Sequence, residues 1–123
     1  MKLTNLDTDI LLAIMDLHSA SSTTLAHRLL NPKLRYDTQK ADTKIRYRLE
    51  RMRKVELLEK NGVEYSVNKI RVSLQPATLK LAIGVELQMG MMLVVIPSDG
   101  DVQMKQISLE KNNNAENNVK KNS

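Results

Sequence analysis

Residues 38–54, TQKADTKIRYRLERMRK, constrain this chain more than any other stretch. On a helix, at about 100° per residue, Ala41, Ile45, Leu49 and Met52 fall on one apolar stripe. The opposite half carries Gln39, Lys40, Thr43, Lys44, Tyr47, Arg51 and Lys54, with Arg46 on its flank. A helix held by a single stripe needs a body to lean on and leaves its polar side to solvent or to a partner. Cations and hydrogen-bonding groups along that side suit phosphates and base edges; the plain alternative is a solvated charged helix.

Charge is unevenly placed. The net value is +5, yet residues 33–54 alone hold nine cations against three acids. From residue 75 onward five Lys balance five acids. A cationic surplus confined to one segment is an electrostatic footprint for a polyanion.

The remaining composition narrows the chemistry. A chain of 123 residues makes one domain, or one small domain with an appendage. With no Phe, no Trp and three Tyr, the core has to be aliphatic, built from Leu, Ile, Val and seven Met. The lack of cysteine excludes disulfides, thiolate metal sites and a cysteine nucleophile. No Gly-rich phosphate loop is present. The pairs Asp7/Asp9 and Asp99/Asp101 fit helix capping and turn formation, and the hydroxyls at 19–24 have no base nearby in sequence. His18 and His27 have no ligand partner at metal-binding spacing. No enzymatic activity, metal or cofactor is expected. With no leader pattern and no apolar run near the roughly 18 residues of a membrane span, a cytoplasmic protein with no membrane partner is expected.

Around the basic segment the chain reads as helix, short helix, long helix, ribbon. Leu3–Leu17 forms the first helix, capped by Thr4 or Asn5, with Asp7 and Asp9 in its first turn. A short second helix has Ser21 or Ser22 as its cap, Thr24–Leu30 as its body, and Asn31-Pro32 as its stop. A turn at Lys33–Asp37 leads into the basic helix, capped by Asp37 or, for a later start, by Asp42. After Lys54 the period changes. Asn61-Gly62 is a hairpin signal, Val63, Tyr65 and Val67 alternate with polar residues, and a second reversal at Asn68-Lys69 leads to an alternating Ile70–Leu74.

Three helices followed by a hairpin resemble a winged helix-turn-helix. Residues 3–74 are similar to such domains in prokaryotic transcription regulators, especially archaeal or mobile-element ones. The resemblance rests on Lys44–Met52, a basic helix with apolar anchors, running through Val55–Lys60 into the Asn61-Gly62 ribbon. It is architectural and covers a little over half the chain. One departure is Val55-Glu56, which stands where many relatives end the helix with glycine.

Beyond residue 75 the pattern differs. Leu79, Leu81, Ile83, Val85, Leu87, Met89 and Met91 occupy every odd position, which predicts a strand; a helix is the alternative, because Leu79, Ile83, Leu87 and Met91 are four apart. Met91–Ile96, a turn at Pro97–Asp101 and a return through Leu109 predict a second hairpin. Residues 111–123 form a polar tail expected to be disordered. The expected fold is therefore α+β: a three-helix winged helix-turn-helix with a hairpin wing over 1–74, then a small antiparallel β extension over 75–110.

The resemblance implies binding to double-stranded DNA, with the helix at 38–54 in the major groove, and a role in transcription regulation. Gln39, Lys40, Thr43, Lys44 and Tyr47 would meet base edges, with Arg46, Arg51 and Lys54 on bases or phosphate. Ser22, Thr23 and Thr24 would give phosphate contacts from the second helix, and Lys60, Lys69 and Arg71 would do so from the wing. Arg48 and Arg53 read as structural or peripheral. Leu81, Ile83, Val85, Leu87 and Met89 are the expected dimerisation residues of a homodimer, unless this strand packs on its own chain. The alternative is a winged-helix protein–protein assembly module in a replication or partition complex. Single-stranded nucleic acid suits the chain less, because stacking aromatics are scarce.

Overall fold

The structure, a computed structural model, describes residues 1–107. The expected polar tail, and residues 108–109 of the returning strand, lie outside the described residues. Over the described residues the fold is α+β, with three helices and two small antiparallel sheets.

Helix α1 (Asn5–Leu17) starts where Thr4 and Asp7 close a capping box. The Thr4 hydroxyl accepts from the Asp7 N–H, and the Asp7 carboxylate accepts from the Thr4 N–H at 2.9 Å. A two-residue strand, β1 (Ala20–Ser21), precedes α2 (Ser22–Leu30), which is capped by Ser21 through the Thr24 N–H. Asn31, in the left-handed region at φ 43, ends α2.

Helix α3 (Arg35–Lys54) begins earlier than its sequence suggests. Asp37 is not its cap; Leu34 is, in an extended conformation and with no side-chain hydrogen bond. Pro32 has already separated the two helices, so the first turn closes as soon as the Thr38 N–H reaches the Leu34 carbonyl. Asp37 then lies inside that turn, where its charge favours the helix start. Asp42, the later candidate cap, is mid-helix. At the far end Glu56 adopts φ 66, the conformation that glycine would adopt at no cost. The Leu57 N–H bonds the Met52 carbonyl and the Glu56 N–H bonds that of Arg53, a pairing that buries Leu57 beside Met52.

Strands β2 (Leu58–Asn61) and β3 (Glu64–Val67) form a hairpin around a two-residue loop, Gly62-Val63, with Gly62 at φ 64. With β1 they make a sheet of order β1-β3-β2. The reversal at Asn68-Lys69 is not a hairpin tip. Asn68 instead closes a turn through the Arg71 and Val72 N–H groups, and that turn carries the chain from one sheet to the next.

The second sheet contains β4 (Val72–Lys80), β5 (Glu86–Val95) and β6 (Gln103–Ile107), in that order. The single strand expected across 79–91 is corrected by this topology. Its residues form a β4–β5 hairpin whose bend runs through Leu81–Val85, with Gly84 at φ 86. Because Leu79 faces Leu87 and Lys80 faces Glu86, odd positions meet odd positions, and the alternation passes through the bend unbroken. A bulge follows opposite Ala77, where Gly90 takes φ 104.

One core joins both sheets. Ile10, Leu11 and Ile14 of α1, Leu25 of α2, and Ile45, Leu49 and Met52 of α3 pack with Leu57, Leu58 and Tyr65. Val72, Leu93 and Val95 of the second sheet belong to the same cluster. Polar ties reinforce the join: the Met1 ammonium meets Asp99 at 2.9 Å, and the Lys105 Nζ donates to Asn5 Oδ1 at 2.7 Å. Strand β4 runs continuously across residues 74 and 75, so the base of the second sheet is part of the helical body. Among the described residues no helix is long and apolar enough to cross a membrane.

Candidate nucleic-acid interface

The buried face of α3 consists of Ala41, Ile45, Leu49 and Met52, the stripe read from the sequence. Helical spacing then forces Lys40, Lys44, Tyr47, Arg51 and Lys54 onto one outward row, and all five are exposed. Gln39, Thr43 and Arg46 form an adjacent exposed row. Two tyrosines shape the outward row. The Lys40 ammonium lies 4.7 Å from the centre of the Tyr36 ring, and the Arg51 guanidinium lies 5.8 Å from that of Tyr47.

Ion pairing sorts the cations of this helix into two groups. Arg46 is paired with Asp42, Arg53 with Glu50 at 2.8 Å, and Arg48 with the fully buried Asp7 at 3.7 Å. Among the described residues Lys40, Lys44, Arg51 and Lys54 have no carboxylate partner. Arg48 and Arg53, expected to be structural or peripheral, are both held by carboxylates. Arg48 ties α3 to the start of α1, where Asp7 Oδ1 has no hydrogen-bond partner among the described residues.

Asp42 organises the contact between α2 and α3. Its Oδ1 accepts from the Ser22 hydroxyl at 2.6 Å and from the Thr23 hydroxyl at 3.2 Å, while its Oδ2 holds Arg46. Ser22 is buried and its hydroxyl is engaged by Asp42, whereas Thr23 and Thr24 remain on the surface. A cleft of about 400 Å³ opens here, lined by Ser21, Ser22, Thr23, Arg46, Lys60, Val63 and Tyr65. Ser22, Thr23, Arg46 and Lys60 are thus gathered at one place from three separate stretches of sequence.

Lys69 and Arg71 are not. Both lie on the turn leading into the second sheet, off the β2–β3 hairpin. Arg71 donates to the Ile96 carbonyl at 3.0 Å and faces Glu56 at 3.4 Å, while Lys69 lines a different cavity with Met15 and His18. Their expected place on the hairpin is therefore corrected: the sheet change at Asn68–Val72 removes them from it. Val63, expected on the strand face with Tyr65 and Val67, instead occupies the hairpin loop and is 75% exposed. Its position directly after Asn61-Gly62 was the available signal.

A three-residue brace sets the hairpin against α3. The Tyr65 hydroxyl donates to Glu50 Oε2 at 2.7 Å, and Arg53 donates to both oxygens of the same carboxylate. The Arg53 hydrogen bonds, followed by that from Tyr65, hold the Glu50 carboxyl down to about 2. Burial, followed by the hydrogen bond to the Glu50 carboxylate, pushes the Tyr65 phenol up to about 12. Lys60 lies 5.4 Å from the centre of the Tyr65 ring, so the brace also positions a hairpin cation beside the cleft.

Among the described residues no cluster of His, Cys, Asp or Glu is arranged to hold a metal ion. No family model, curated protein or solved structure matches this chain.

Proposed function

We propose that this protein binds double-stranded DNA sequence-specifically as a transcription regulator, with α3 in the major groove and the β2–β3 hairpin as the wing of a winged helix-turn-helix. The observation that carries the reading is the outward row of α3, where Lys40, Lys44, Arg51 and Lys54 have no carboxylate partner among the described residues. They stand opposite a fully packed stripe. A rigid helix with its anchors on one side and free cations on the other places charge against phosphate without first breaking internal pairs.

Within this reading, Gln39, Lys40, Thr43 and Lys44 sit on the leading half of α3 and meet base edges. Arg51 and Lys54 follow the backbone. Thr23, Lys60 and Arg46 flank the cleft beside α2 and act on phosphate, Arg46 by exchanging Asp42 for a phosphate oxygen. Ser22 acts only through Asp42, by holding α2 against α3.

A salt titration of duplex affinity tests the proposal. Each phosphate contact adds roughly 0.9 to the slope of log affinity against log salt, so the charge reversals Lys44→Glu and Arg51→Glu together should abolish binding and flatten the slope. Circular dichroism should remain unchanged, because both side chains are exposed. Unchanged affinity in that variant would sink the groove assignment. Weak, salt-insensitive duplex binding by the parent would point to protein–protein assembly instead.

A further inference from the structure

The β4–β5 hairpin reaches past the body as a two-stranded arm, and its two faces differ. The base of the sheet turns Val72, Leu93 and Val95 into the core. Register then assigns every other position. The core-facing side continues along the arm as Thr78, Lys80, Glu86 and Gln88. The opposite side carries Leu79, Leu87 and Met89 on the arm and continues toward the base as Met92, Val94 and Met104. The apolar face of the arm is thus the one turned away from the protein's own core. Leu79, Leu87 and Met89 remain 47%, 45% and 48% exposed. An isolated two-stranded ribbon is marginal in water, and one with a bare aliphatic face needs a cover.

We infer that this face is the contact surface for a second copy of the same chain, packed ribbon against ribbon about a two-fold axis. Area supports it: Leu79, Leu87, Met89 and Met104 leave roughly half or more of their surface open on one face, an aliphatic centre for a standard interface of about 800 Å² per partner whose remainder is a polar rim. Charge supports it as well. Residues 72–107 hold two Lys and three acids, so two chains of net charge +5 can meet here without opposing their cationic helices. The arm's two charges, Lys80 and Glu86, lie on the other face, 3.7 Å apart and of opposite sign, so neither is buried by a contact on the apolar one. A charged partner finds no matching field on such a face. A lipid surface finds neither the aromatic belt nor the basic rim that interfacial binding uses. The proposal does not depend on DNA binding by α3.

Sedimentation velocity on the full chain tests it across a wide concentration range. The parent should approach twice 14.0 kDa, and Leu87→Glu with Met89→Glu should return it to 14.0 kDa with its folded circular dichroism spectrum retained. The chain has no cysteine, so Leu87→Cys gives an independent readout that adds no charge: oxidation should yield a disulfide-linked dimer. A parent that stays monomeric throughout overturns the inference, as does a dimer indifferent to the two Glu substitutions. Capture of the monomer by uncharged phosphatidylcholine vesicles in place of self-association would overturn it too, by giving the face to lipid. Loss of duplex binding in the α3 charge-reversal variant with the dimer intact would separate failure of the helix surface from failure of this one.

Discussion

Helix α3 and the β4–β5 arm carry the same kind of message, an apolar row beside a polar one, and the fold treats them in opposite ways. On α3 the apolar row is fully packed and the polar row is left outside. On the arm both rows are outside, and the apolar one points away from the body. The difference lies in what each element meets. Helix α3 lies across α2 and reaches β2, whereas the arm extends beyond the last residue that touches the core. Amphipathicity shows that a face must be covered; it does not show by which molecule.

Truncation separates the two rows most strongly. Leu49→Ala, at the centre of the packed stripe, should cost about 2–5 kcal/mol in urea denaturation, while Leu87→Ala should change the monomer by less than about 0.5 kcal/mol. Similar losses at both sites, at concentrations where the chain is monomeric, would show that the arm is covered within one chain. Next in size is the tie between α3 and α1. Asp7→Ala removes the N-terminal capping partner and the Arg48 contact together, and should cost about 1–3 kcal/mol. Among the described residues the arm's ion pair is the exposed Lys80–Glu86, so Lys80→Ala should cost less than about 0.5 kcal/mol in the same assay.

The pH dependence of stability sharpens the contrast at the hairpin brace. Glu50 is held below its ordinary 4.5, so its contribution is present above that value and is lost as pH falls toward about 2. Tyr65 is held above 10.0, so its contribution is complete below that value and is lost as pH rises toward about 12. The difference in thermal midpoint between the parent and Glu50→Gln should be widest between these limits and should close at both ends. A difference independent of pH would remove the carboxylate from the explanation. The smallest effect is a gain. Glu56→Gly relieves a left-handed backbone at the end of α3 and should stabilise by about 0.5–1 kcal/mol, even though it gives up the exposed pairing with Arg71.

Much of this was legible from residues alone. The stripe at Ala41, Ile45, Leu49 and Met52 was visible because 3.6-residue periodicity survives any tertiary arrangement. The β2–β3 loop was visible because glycine at a tight turn relieves a local steric conflict. Other features were hidden. Helix α3 starts at Arg35 without a side-chain cap, so no residue type announced it. The bend at Leu81–Val85 kept odd residues facing odd residues, so a hairpin and a long strand share one pattern. The arginines of α3 look alike in sequence, yet Asp42, Glu50 and a carboxylate from α1 engage three of them.

Local order in this protein follows from sequence, because caps, turns and periodicity act over a few residues. Which surfaces stay available does not. It depends on which carboxylates the fold brings beside which cations, and on which side of a ribbon the core happens to lie. Both are set by contacts between residues dozens of positions apart, and only the tertiary structure supplies them.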